Sequence, residues 1–211
     1  MDLTNRFLSQ QRQRATSNPS LINRATALQR KYIKDREALV SYLAGRRHGK
    51  TDAVATRMIE NARPETTQAY VCPTITRAKE ILLPVMRTLQ REAGVRFEVI
   101  GDHIIFPSGG KIRLMGMSNE AEVQKLRGED LLAAYFDECG VPKSRVLKEA
   151  VISCAWEALR KHRGEPGSGC SLSGTPGQVP GNPADAEPDF WWQVTTQNNA
   201  DGTPMYGASR H

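Results

Sequence analysis

"ALVSYLAGRRHGKT", residues 38–51, is the stretch on which the reading of this chain turns. Residues 38–44 are apolar and β-prone, the turn that follows carries glycine at 45 and 49, and residues 51–61 resume a helical pattern. A loop that cradles phosphate needs this order of parts. The strand leads into a tight turn that exposes successive backbone N–H groups, and the helix behind it points its N-terminus at the anion. Lys50 then reaches the outer phosphates and Thr51 supplies a hydroxyl to a divalent metal. The first glycine of the usual spacing falls on Ala44, with Gly45 one place late, so this stretch taken alone competes with a chance turn.

Outward from the loop, strands and helices alternate. Residues 21–37 have apolar groups on one side of a helix, "TQAYVCP" reads as a buried strand, and Ala78, Ile81, Leu82, Val85, Met86 and Leu89 keep the spacing of an amphipathic helix. "VRFEVIGDHIIFPSGGKIRLMGM" reads as short strands joined at Gly101-Asp102 and at Ser108-Gly109-Gly110. "LLAAYFDE" is an apolar strand ending in two acids, residues 146–160 form a helix, and "CSLSGTPG" is one more short strand. Residues 174–188 are Gly/Pro-rich and read as loop, and "DFWWQV" opens a last helix or strand. This alternation predicts an α/β fold with a mainly parallel sheet.

Two further features gain weight from the first. Asp137 and Glu138 stand at the carboxyl end of a buried strand, the edge at which open α/β sheets bind ligands. There Asp137 would hold the water shell of Mg²⁺, and Glu138 would polarise an attacking water. A strand that simply ends in solvated acids is the plain alternative. The phosphate loop about ninety residues upstream is what tips the balance. Ser173, Gly174 and Thr175 then place small hydroxyls at another strand end, where a γ-phosphate can be sensed.

Composition sets the bounds. No apolar run approaches the roughly eighteen residues of a membrane span, and the start is polar, so a soluble protein without a membrane partner is expected. The four cysteines are scattered without a C-x-x-C pair and read as buried free thiols, and the four histidines form no metal cluster. Net charge is +6, but the first fifty residues hold eleven Lys or Arg against three acids, which leaves the remainder slightly acidic. A basic segment of this kind raises the odds of a polyanionic partner. Residues 1–20 read as a flexible arm ahead of a single domain over residues 21–211.

"AGRRHGKT", "YVCPT", "LRGEDLLAAYFDE" and "SLSGTPG", in this order, resemble the ATPase domain of the large terminase subunit, the DNA-packaging motor of tailed bacteriophages. The resemblance spans roughly residues 25–211 and makes Ala44 a family variant of the loop. It implies a P-loop NTPase of the ASCE/RecA-like type, with ATP as substrate and Mg²⁺ as cofactor. By that likeness Gln29, Ala44, Gly45, Arg46, Arg47, His48, Gly49, Lys50 and Thr51 bind nucleotide, Gln29 through the adenine. Thr51 and Asp137 hold the metal, Glu138 is the catalytic carboxylate, and Ser173–Thr175 couple hydrolysis to DNA movement from a strand between the other two.

Arg46, in cis, and Arg127, across a subunit interface, are rival candidates for an arginine finger; a structural salt bridge to Glu129, Asp130 or another acid is the alternative for each. Arg47 and His48 receive no catalytic role. The implied partners are double-stranded DNA, a portal protein, a small terminase subunit and further copies of the chain in a ring, all in the host cytoplasm. The family's nuclease domain is expected to be absent, and Trp191 and Trp192 are expected to pack against the domain. Two other readings stand beside this one. A helicase-like DNA-dependent ATPase would need a second motor domain, and a non-enzymatic DNA-binding or assembly module would leave Lys50, Thr51, Asp137 and Glu138 without purpose.

Overall fold

A computed structural model of the chain describes residues 19–45, 47–139, 144–175, 190–196, 201–204 and 209–211. The proposed arm up to residue 18, Arg46, most of the Gly/Pro-rich stretch and the side chains of Trp191 and Trp192 lie outside the described residues.

Among the described residues eight strands form one sheet: β1 (Leu39–Leu43), β2 (Thr67–Cys72), β3 (Glu98–Ile100), β4 (His103–Ile105), β5 (Lys111–Gly116), β6 (Ala133–Phe136), β7 (Gly169–Gly174) and β8 (Ser209–Arg210). Their order is β3-β4-β5-β2-β6-β7-β1-β8. Pairing is parallel from β5 through to β8 and antiparallel only in the β3–β4–β5 corner. The central strands are buried on both faces, which is why "AYVC" and "AAYF" read as unbroken apolar runs rather than alternating ones. All four cysteines are free and buried.

Helices cover both faces. α1 (Pro19–Arg24), α2 (Ala27–Lys34), α3 (Lys50–Asn61) and α4 (Ile75–Ala93) pack Leu21, Tyr32, Ile33, Val54, Met58, Leu82 and Met86 into one core. α5 (Glu120–Arg127), α6 (Ser144–Lys148) and α7 (Phe190–Thr196) belong to the other, with Val123, Leu126, Leu147 and Phe190. α6 runs on through a π-helical stretch (Glu149–Ala155) into a last short turn (Trp156–Ala158).

The structure refines the sequence reading in three places. The helix expected over residues 21–37 is two helices, because Thr26 caps the second: its hydroxyl accepts from Gln29 N while the Gln29 side chain accepts from Thr26 N. Residues 120–127 form a helix capped by Asn119, which sits unannounced between two more conspicuous motifs. The chain's last residues, in which the sequence shows no terminal element, add β8 alongside β1.

Candidate functional site

The turn after β1 ends at Gly49, whose φ of 69° lies in the left-handed region that glycine enters without a Cβ penalty. From there α3 begins directly with Lys50, so the helix N-terminus faces the turn. Lys50 Nζ donates to the carbonyls of Ala44 and Gly45, both at 2.9 Å, and to Thr175 Oγ1 at 3.0 Å. The His48 ring lies over Gly45, where a Cβ would meet its Nδ1 at 2.9 Å. Arg47 adopts a φ of 63° and lines the cavity beside the loop.

Sheet order brings the other motifs to this edge. β7 pairs with β1 on one side and β6 on the other, so the strand ending in Gly174 lies between the phosphate-loop strand and the one that precedes Asp137. Asp137 is 3% exposed and accepts hydrogen bonds all round its carboxylate. Ser173 Oγ donates to Oδ1 at 2.7 Å and Glu138 N to the same atom at 2.9 Å. Tyr70 OH donates to Oδ2 at 2.7 Å, and Thr51 Oγ1 approaches Oδ2 at 3.4 Å. Burial first, and then the Asp137 charge, push the Tyr70 hydroxyl well above its ordinary range, which keeps it a proton donor.

Glu138 follows in a left-handed conformation with φ 55°, an unusual one for a residue with a Cβ. Both its oxygens are taken by Arg77, through Nε at 3.1 Å and Nη2 at 2.9 Å. The hydrogen bonds and charge of Glu138 raise the Arg77 pKa above its ordinary value. Arg77 stands in the first turn of α4, whose N-terminus is capped by Thr74. A cavity of about 440 Å³ is bounded by Arg47, Lys50, Thr51, Asp137, Glu138, Gly174 and Thr175, with Arg77 and Ile81 closing its α4 side.

Of the described residues singled out in the sequence, Gln29, Ala44, Gly45, His48, Gly49, Arg127 and Ser173 do not line this cavity. Ser173 stands behind Asp137, as its hydrogen bond shows. Gln29 contacts the loop from α2, donating to Gly49 O at 3.1 Å and His48 O at 3.5 Å. Arg127 ends α5, well exposed, and pairs with Glu149 at 3.3 Å; Glu129 pairs instead with Arg113, and Asp130 with Lys161. Sequence reasoning missed Arg77 and Tyr70. The available signal was their position: Tyr70 on, and Arg77 just past, a buried strand whose carboxyl end reaches the site.

The family model for the terminase large subunit, T4likevirus-type, N-terminal, matches residues 41–161. The chain belongs to this family. No curated protein sequence matches the chain.

Among solved structures, the large terminase of a thermophilic bacteriophage is similar at 16% identity and a TM-score of 0.60, over 88% of this chain and 45% of that one. The large terminase ATPase domain of Thermus phage P74-26 is similar at 15% identity and a TM-score of 0.54, over 74% of this chain and 66% of that one. A mutant of the latter domain gives 13% identity and a TM-score of 0.60, over 91% and 83%. This terminase chain therefore matches about half the length of the first of these proteins. At such identities these likenesses speak to fold, and the fold is that of the terminase ATPase domains, with a mainly parallel sheet flanked by helices.

Proposed function

We propose that the chain is the motor domain of a viral DNA-packaging terminase, which hydrolyses ATP with Mg²⁺ and couples hydrolysis to translocation of double-stranded DNA into a procapsid. What carries this reading is the convergence of Lys50, Thr51, Asp137, Glu138 and Thr175, from three separated segments, around one cavity at the carboxyl edge of the sheet. The terminase family supplies the DNA-packaging context.

Each residue has a part that follows from its surroundings. The Lys50 ammonium, held by two carbonyls and a hydroxyl, exchanges these neutral acceptors for the stronger anionic acceptors of the β- and γ-phosphates. Thr51 and Asp137 offer hard oxygen donors, which suit Mg²⁺. Since Asp137 is already surrounded by donors, it would take a metal-bound water rather than the ion. Mg²⁺, when bound, neutralises charge on the phosphate oxygens. Glu138 accepts the proton of the attacking water once its carboxylate leaves Arg77. When Lys50 turns to phosphate its bond to Thr175 is given up, so the end of β7 registers nucleotide directly.

In this reading the chain works as a ring of copies in the host cytoplasm, with a portal protein and a small terminase subunit as partners. Arg46 or Arg127 would provide the finger. The test compares ATP binding and hydrolysis by the chain and by Glu138→Gln, with and without double-stranded DNA. Nucleotide binding by both with hydrolysis by the unaltered chain alone supports the reading; a chain that binds no nucleotide refutes it.

A further inference from the structure

We infer that Gln29 is a positioning residue for the phosphate loop, acting on the triphosphate end of the nucleotide and not on its base. The inference rests on the nucleotide-binding reading above and changes what that reading says about the base. Gln29 is 7% exposed, and both ends of its carboxamide are committed. Oε1 accepts from Thr26 N at 2.7 Å, closing the cap of α2, and Nε2 donates to Gly49 O at 3.1 Å and, more weakly, to His48 O at 3.5 Å. To read adenine, a carboxamide must accept from N6 and donate to N7. Both hydrogens of Nε2 lie on loop carbonyls, so Gln29 could donate to N7 only by giving up one of them.

The brace has a direct geometric consequence. No peptide bond among the described residues is cis, and a trans peptide points its N–H opposite to its C=O. Gln29 holds the His48 and Gly49 carbonyls from the α2 side, the latter together with Ala53 N at 3.0 Å in the first turn of α3, and the amides of Gly49 and Lys50 face away from the groups that hold those carbonyls. Successive N–H groups turned to one side are what a phosphate cradle requires. The approach is close enough that a Cβ on residue 49 would lie 2.6 Å from Gln29 Nε2, so Gly49 is needed for its contact as well as for its φ.

α2 itself is held firmly. Tyr32 OH bonds Ser171 Oγ of β7 at 2.6 Å, its ring stacks on Tyr42 of β1 at 4.6 Å, and its carbonyl accepts from Arg57 of α3 at 2.6 Å. Gln29 thus projects from a helix fixed to three of the elements that build the site.

The test measures the affinity of the chain for ATP, GTP and inorganic tripolyphosphate, each with Mg²⁺, in the unaltered protein and in Gln29→Met, which keeps volume but not donors. The expected result is an equal loss for all three, roughly 3- to 10-fold, the size of one or two lost hydrogen bonds. Gln29→Glu should lose more, because a carboxylate would face the loop carbonyls. Weakened ATP with unchanged GTP and tripolyphosphate overturns the inference in favour of a base contact, and unchanged affinity for all three overturns it outright. An unaltered protein that binds none of the three removes the nucleotide-binding reading and the brace with it. Melting curves establish folding; if Gln29→Met does not fold, Gln29→Asn, which keeps the carboxamide but not its reach, carries the same comparison.

Discussion

The two carboxylates of the site are neighbours in sequence and opposites in construction. Asp137 is 3% exposed and receives donors from β2, β7, α3 and the next peptide, so under the proposed function it would take a metal-bound water without moving. Glu138 has a left-handed backbone, a side chain 24% exposed, and a grip from Arg77, which is itself 49% exposed. One half of the site is preorganised, as catalytic groups on rigid elements are. The other half is held in a pair that, under the proposed function, would have to open for Glu138 to act on water. This contrast yields a binding side and a hydrolytic side that mutations should separate.

The largest separation comes from Glu138→Gln. Loss of the general base should lower hydrolysis by about 10²–10⁴, while ATP affinity stays within roughly a factor of two, because Asp137, Thr51 and Lys50 are untouched. Single-turnover hydrolysis and equilibrium binding measure the two effects independently. A fall of less than tenfold would move the base to another group and dissolve the contrast.

On the binding side, Tyr70→Phe removes a buried donor from Asp137 without changing the shape of the core. Partners of direct metal ligands are worth about 10- to 100-fold in metal affinity; Asp137 would hold a metal-bound water, one shell further out, and Ser173 and Glu138 N remain on Oδ1, so we expect less, roughly two- to tenfold. A Mg²⁺ titration of nucleotide binding reads this out, and turnover should recover at saturating Mg²⁺. Failure to recover would mean that Tyr70 serves the hydrolytic side as well.

The same contrast accounts for what was legible in the sequence. Lys50, Thr51, Asp137, Glu138 and Thr175 lie in compact runs where a strand meets a turn, so their chemistry and their placement at the sheet edge are written locally. Arg77 is one of several arginines on an amphipathic helix, and only the packing of α4 against the sheet brings it onto Glu138. Tyr70 looks like part of an apolar run, because a buried tyrosine and a buried phenylalanine give the same pattern. Gln29 stands out for its place upstream of the loop, but its partners, about twenty residues away, are set by tertiary structure. Parallel strand order is non-local too; the placement of β7 between β1 and β6 came from family resemblance, not from any residue spacing.

A smaller effect should follow from Arg77→Ala. The pair it forms with Glu138 is bidentate but solvent-screened, and such pairs contribute about 0–1 kcal/mol. Freeing Glu138 should therefore raise hydrolysis without DNA by up to about fivefold, the rate equivalent of the top of that range. Steady-state rates of the two proteins decide this. A tenfold fall instead would place the guanidinium on the phosphate and make Arg77 part of the machinery rather than its restraint.

The smallest effect within a single chain belongs to Arg127→Ala. Its side chain is 48% exposed and its partner Glu149 37%, and an exposed pair of this kind is worth about 0.2–1 kcal/mol, so denaturant midpoints should barely shift. Arg127 does not line the cavity of its own chain, so a role as finger would have to be played at a neighbour's site. Dilute Arg127→Ala protein should then turn over ATP like the unaltered chain, whereas assembled protein should lose activity and regain part of it when mixed with Glu138→Gln. Mixing works because each variant supplies at one shared interface what the other lacks. A loss already present in dilute protein, or one that mixing does not repair, would return the finger to the loop's own Arg46 and confine both halves of the site to one chain.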